Sequence, residues 1–222
     1  MGTFRTIEVH EAVGTVNDRI AEDTRREMKE QGTFLVNMMA SPGAGKTSVL
    51  LKTIEALKKN NIKIGVMEAD IEAEVDAETM EKAGVSTIQV HTAGRCAMDA
   101  KMTSDTLKAF DTKGLDIIFL ENIGNLVCPA EDDTGAHRNV CILSVPEGDD
   151  KPLKYPLMFE VCQAVIINKI DTKEYFPFDD AAVVERIHER NPFAKIFFVS
   201  AKTGEGIDAW AKWLREEMKK GI

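Results

Sequence analysis

The chain has 222 residues, 44% of them hydrophobic, enough to bury one substantial core without staples. Its 28 basic and 37 acidic residues leave a net charge of −9, which argues against nucleic acid and against an anionic membrane as partners. No apolar run reaches membrane-spanning length and the first residues carry acid rather than a basic, apolar leader, so a cytoplasmic protein is expected; four cysteines are too few for a disulfide scaffold.

In chain order, residues 12–31 read as an amphipathic helix in which Val13, Val16, Ile20 and Met28 punctuate a charged surface. It forms an N-terminal helical extension, residues 1–32, ahead of one domain spanning 33–222. Apolar runs predict strands at 34–39, 63–68, 87–90, 116–121, 140–145, 164–168 and 195–200, alternating with helical or polar stretches. That alternation predicts an α/β fold, a mostly parallel central sheet with helices on both faces. A last helix over 207–219 carries Trp210 and Trp213 one turn apart, as core anchors.

Between the first strand and a helix over 46–59 lies Ala40-Ser41-Pro42-Gly43-Ala44-Gly45-Lys46-Thr47-Ser48. This is the strand-to-helix context that a phosphate-binding P-loop requires, and it makes the chain a P-loop NTPase. Gly43 and Gly45 let the backbone approach phosphate oxygens, and the loop from Pro42 through Ser48 surrounds the anion, with the N–H groups at the helix start pointing at it. Lys46 reaches the β/γ-phosphates, and the Thr47 hydroxyl can ligate Mg²⁺. Ala40 replaces the usual first glycine, so it has to occupy a backbone position comfortable for an L-residue.

Downstream, Asn168-Lys169-Ile170-Asp171 follows an apolar run, at the strand end where open parallel sheets bind ligands. A carboxylate at Asp171 can accept from guanine N1–H and the exocyclic amine, a donor pair that adenine lacks. The Lys169 stem can cover the base, and Asn168 can tie this loop to the P-loop. Ser200-Ala201-Lys202 stands after the next strand, where GTPases supply a backbone N–H to guanine O6. GTP and GDP are therefore expected rather than the adenine nucleotides.

The strand ending in Glu121-Asn122-Ile123-Gly124 carries an acid where P-loop proteins hold Mg²⁺, and Gly124 would sense the γ-phosphate through its N–H. Asp70, just past a strand end, is a further Mg²⁺ partner, and Asp76 lies in what would be the first mobile loop, where a solvated helix start is an equal reading. Cys128 follows the Glu121 motif and Cys96 lies in the polar connection that begins at His91. As thiolates the two could ligate a soft or borderline metal, and pairing across a dimer would supply four sulfurs; simple packing is an equal reading. Cys141 and Cys162 read as buried apolar residues.

Three segments together resemble the HypB-type nickel-incorporation GTPases of nickel–iron hydrogenase maturation: Glu121 to Ala130, Ser144 to Pro156, and Asn168 to Asp171, with Cys96 ahead of Asp99-Ala100. The resemblance implies a homodimer formed on GTP, a Ni²⁺ or Zn²⁺ ion held between subunits at Cys96 and Cys128, and transfer of that ion with GTP hydrolysis. It implies a hydrogenase precursor and other maturation proteins as partners. Ala97 stands where the family has a histidine, and His91 is the nearby candidate to replace it. The sister metallochaperones fit less well: the urease accessory type shows Cys-Pro-His where this chain has Cys128-Pro129-Ala130. The reading from a different class is a GTP-dependent regulatory switch that binds no metal.

Overall fold

In the computed structural model, residues 10–69 and 83–221 are described. The helix α1 (His10–Gln31) precedes β1 (Phe34–Ala40), α2 (Lys46–Lys58), β2 (Ile64–Glu68) and β3 (Ser86–Gln89). Then come α3 (Ala100–Ala109), β4 (Ile117–Glu121), the short α4 (Cys128–Glu131) and β5 (Arg138–Ser144). Two further short helices, α5 (Lys151–Lys154) and α6 (Pro156–Glu160), lead to β6 (Ala164–Asn168), α7 (Asp180–Arg190), β7 (Lys195–Phe198) and α8 (Ile207–Gly221).

The seven strands form one sheet in the order β3-β2-β4-β1-β5-β6-β7. Every pairing is parallel. All seven residues of β1 are buried, because a parallel sheet covered on both faces has no solvent side and selects continuous apolar runs over alternation. Phe34, Val36, Met38 and Ala40 pack on one face with α2 and α8, around Trp210. Leu35 meets Met28 of α1 and Leu107 of α3 on the other face, where Met39 joins Phe159 and Val183. Strand bounds shift slightly from expectation; β5 starts two residues early because Arg138 pairs with Val36 of β1.

Helix α1 packs through Ala21, Thr24 and Met28, while Val16 is exposed. Arg25 fixes the helix by a two-pronged bond to Asp133, with 2.8 and 2.7 Å contacts to the two carboxylate oxygens. Trp210 is fully buried and its indole N–H donates to the Thr53 hydroxyl at 2.9 Å; Trp213 stacks on it from the half-buried side. Both tryptophans are packing residues. Among the described residues no helix is long and apolar enough to cross a membrane.

Candidate functional site

Parallel strands deliver all their carboxyl ends to one edge, so the loops after β1, β4, β5, β6 and β7 meet there. The P-loop departs from Ala40, the last residue of β1, buried and outside the positive-φ set, so the missing first glycine causes no backbone conflict. Gly45 has the opposite requirement. Its φ is +92°, and a Cβ there would lie 2.5 Å from the Asn168 amide nitrogen, so only glycine fits.

Asn168 is 1% exposed and joins two loops. Its Nδ2 donates to the Ala44 carbonyl at 2.9 Å, and its Oδ1 accepts from the Ala201 N–H at 3.1 Å. Lys169, with φ +61°, turns its ammonium back to the Gly43 carbonyl at 2.6 Å. Asp171 accepts from the Ser200 hydroxyl at 2.6 Å. Asn168 and Lys169 therefore reach the P-loop, Asp171 and Ser200 join the two neighbouring loops, and Lys202 next in the chain is exposed. A cavity of about 520 Å³ is lined by Ser41, Pro42, Gly43, Lys46, Thr47, Ser48, Gly124 and Lys169.

Glu121 ends β4 in a buried position, with Oε1 accepting from the Thr47 hydroxyl at 2.7 Å and 3.5 Å from the Lys46 ammonium. A hydroxyl and a carboxylate oxygen converging beside a glycine-rich loop make a hard donor set, which fits Mg²⁺. Lys46 donates at 2.5 Å to the backbone carbonyl of Asn122. Gly124 lies flat against the loop, for a Cβ there would come within 3.2–3.3 Å of Pro42. Asp70 and Asp76 fall outside the described residues.

Cys96 and Cys128 are brought together, with Cα atoms 6.0 Å apart and the sulfurs joined as a disulfide. That pairing was not expected from sequence. Metal ligation requires the reduced pair, since only thiolates bind metal. Cys96 is exposed, Cys128 half-buried, and the Asn125 amide donates to the Cys128 sulfur at 3.5 Å while its Oδ1 accepts from the Val127 and Cys128 N–H groups. Among the described residues no third His, Cys, Asp or Glu completes a metal-sized group, so His91, exposed in its turn, does not join the pair. Cys141 and Cys162 are fully buried as expected, and burial pushes the Cys162 thiol well above its ordinary range.

Two residues had no role assigned from sequence. Glu147 accepts from the Ser144 N–H and hydroxyl at 2.8 and 2.7 Å and from the Ser41 hydroxyl, bracing the P-loop across 106 positions. Asn122 is fully buried; its Oδ1 accepts from the Met98 N–H at 3.1 Å and its Nδ2 donates to Asn37 at 3.1 Å. The only sequence signal for either was a polar residue next to a buried strand.

A parallel sheet with a P-loop, an acid on the neighbouring strand and an Asn-Lys-x-Asp loop defines a P-loop nucleotide-binding protein. The family model "CobW/HypB/UreG, nucleotide-binding domain" matches residues 34–198, and the chain belongs to that family. It is 38% identical over 217 residues to the hydrogenase maturation factor HypB of Escherichia coli, covering 98% of this chain and 74% of that protein. The crystal structure of HypB from Archaeoglobus fulgidus superposes with a TM-score of 0.85 at 35% identity, over 92% of this chain and 99% of that one. HypB from Helicobacter pylori, solved in complex with nickel, gives 0.84 at 37% identity, over 92% and 95%.

Proposed function

We infer that this protein is a GTP-hydrolysing metallochaperone that assists nickel insertion during hydrogenase maturation. The observation that carries the reading is the juxtaposition of Cys96 and Cys128 beside the turn that follows Glu121. Support also comes from the relatives, which are named hydrogenase maturation factors, and from the relative that binds nickel.

In this reading Asp171 selects guanine, and Asn168 holds the base loop to the P-loop. Thr47 and Glu121, with Asp70 as a further partner, would hold Mg²⁺, which would supply charge neutralisation at the phosphates. Lys46 and the N–H groups of residues 43–48 stabilise the transferring phosphoryl group while water attacks in line, giving GDP and phosphate. A single chain offers two sulfurs, one short of a sturdy site, so the cargo ion, Ni²⁺ or Zn²⁺, is shared with a second copy in a GTP-dependent homodimer. A hydrogenase precursor and other maturation proteins receive it, in the cytoplasm. Residues 33–222 form the GTPase domain and 1–32 its helical extension.

The test is metal stoichiometry with molecular mass, measured on reduced protein in Mg²⁺ with either GDP or a non-hydrolysable GTP analogue. One ion per dimer, favoured by the analogue, is expected. No metal in either state would leave a GTP switch whose cysteines only pack.

A further inference from the structure

Asn122 lies where the nucleotide site and the cysteine pair meet. Its backbone carbonyl takes the Lys46 ammonium at 2.5 Å. Its side chain faces the other way. The Oδ1 accepts from the N–H of Met98, two residues past Cys96, and from the N–H of Ile123 at 2.9 Å. The Nδ2 continues a buried amide ladder through Asn37 to Asn139, each step 3.1 Å. On the far side of the turn, Asn125 holds the Cys128 N–H and sulfur. Both thiols thus hang from one short peptide, one through a side-chain bond and the other through the chain.

Phosphate at the P-loop attracts the Lys46 ammonium, because a charge-assisted bond to a phosphate oxygen is stronger than one to a neutral carbonyl. The peptide at 122–123 then loses or weakens its bond to Lys46. Rotation of that peptide moves the Ile123 N–H, which shares the Asn122 Oδ1 acceptor with the Met98 N–H, and through that shared oxygen it disturbs the segment bearing Cys96. Glu121 stays fixed in its strand, paired in register with Met38 and Glu68, so the motion has to be taken up after it.

We propose that Asn122 is a positioning residue that couples nucleotide state to metal affinity, its carbonyl reading Lys46 and its side chain holding the Cys96 segment. The assignment rests on the metal-carrier reading and adds to it the route by which nucleotide reaches the first thiol. A ligand shifts an equilibrium only through differential affinity, so the quantity to read is the ratio of Ni²⁺ dissociation constants in the two nucleotide states.

That ratio is measured on reduced, full-length protein with Ni²⁺, in Mg²⁺ with GDP and with a GTP analogue, for wild type, Asn122→Ala and Asn122→Asp. Wild type is expected to differ by about tenfold between states. Asn122→Ala is expected to bring the ratio to within about twofold of one, while Asn122→Asp, which keeps the acceptor for Met98, restores it. An intact ratio in Asn122→Ala overturns the coupling alone. A wild type that binds Ni²⁺ equally in both states overturns the coupling, whereas a wild type that binds none in either state overturns the carrier reading and the coupling with it. If Asn122→Ala fails to fold, amide hydrogen exchange on wild type decides: protection at residues 97–99 is expected to change with nucleotide, and unchanged protection there overturns the proposal.

Discussion

Replacing Asn168 with alanine removes a side chain that bonds both the P-loop and the Ser200-Ala201-Lys202 loop. Ala44 and Ala201 are both buried, so truncation leaves a carbonyl and an N–H without their partner in a place water reaches poorly. Each orphaned group costs roughly 1–3 kcal/mol, and a water molecule entering the vacated volume recovers part of that. The net expectation is a loss of about 2–4 kcal/mol, which for a chain of this size lowers the melting temperature by roughly 5–15 °C. The same change frees the base loop from the phosphate loop, so GDP affinity should fall at least about tenfold, since preorganisation of the two loops is lost. Differential scanning calorimetry without nucleotide and fluorescent-GDP titration measure the two effects separately. Glu189→Ala is the control, an exposed side chain on α7 that should change stability by no more than about 0.5 kcal/mol. If Asn168→Ala melts within about 2 °C of wild type and binds GDP equally well, the strut argument is wrong.

Further outcomes follow from the same geometry. Asp171→Asn exchanges an acceptor for a donor opposite the base, so GDP affinity should drop by about two orders of magnitude and xanthosine diphosphate should gain, read by competition titration. Gly124→Ala places a methyl against Pro42, and the expected result is retained GDP binding with a weakened preference for the GTP analogue, measured by the same titration. Nickel binding should require reductant: reduced protein binds Ni²⁺, whereas oxidised protein, in which Cys96 and Cys128 are joined, does not, as followed by thiolate-to-metal absorption. Burial, with the Arg25 and Arg138 charges, pushes the His137 imidazole down from 6.5 to about 4. Its folded pKa lies below the unfolded one, so the neutral ring's contribution is whole above pH 6.5 and is lost as pH falls toward 4, by at most about 3 kcal/mol. Urea unfolding at pH 7 and pH 4.5 should show a flatter dependence for His137→Gln than for wild type.

The fold was legible because a covered parallel sheet leaves a coarse signature. The strands β1, β2, β4 and β6 are buried, mostly apolar runs, and Gly43, Gly45 and Lys46 stand where a strand meets a helix. Local chemistry also singled out Asp171, which the structure bonds to the Ser200 hydroxyl in the loop after β7. Other parts depend on contacts across long separations. Glu147 braces Ser41 from 106 positions away, and Asn122 meets Asn37 from 85, so neither role can be read from its neighbours in sequence. Val16 shows a related limit: helical periodicity marks an apolar residue, but the docking of the helix decides which stripe is covered, and Val16 is left exposed. The cysteines were recognised as a pair, but their direct joining depends on the Met98 and Asn125 bonds that bring the two loops together.

The two cysteine segments are also tethered on the side away from the nucleotide. Asn17 of α1 accepts from the Ala100 N–H at 3.0 Å and donates to the Asp133 carbonyl at 3.0 Å. Ala100 lies four residues past Cys96, and Asp133 five past Cys128. Cys128 thus lies between two attachments, Asn125 and Asp133, whereas both attachments of the Cys96 segment, at Met98 and Ala100, follow the cysteine. A local change at Asn122 is therefore felt mainly at Cys96, as a change in the angle and separation of the thiols. The contact that starts this change is a single charge-assisted bond, worth roughly 1.5–3 kcal/mol net. That energy bounds the coupling it can transmit, because a nucleotide cannot shift metal affinity through Asn122 by more than the bond it breaks. The bound corresponds to about 10- to 150-fold in metal affinity, so a measured difference of several thousandfold would require a second route, with dimerisation the natural candidate.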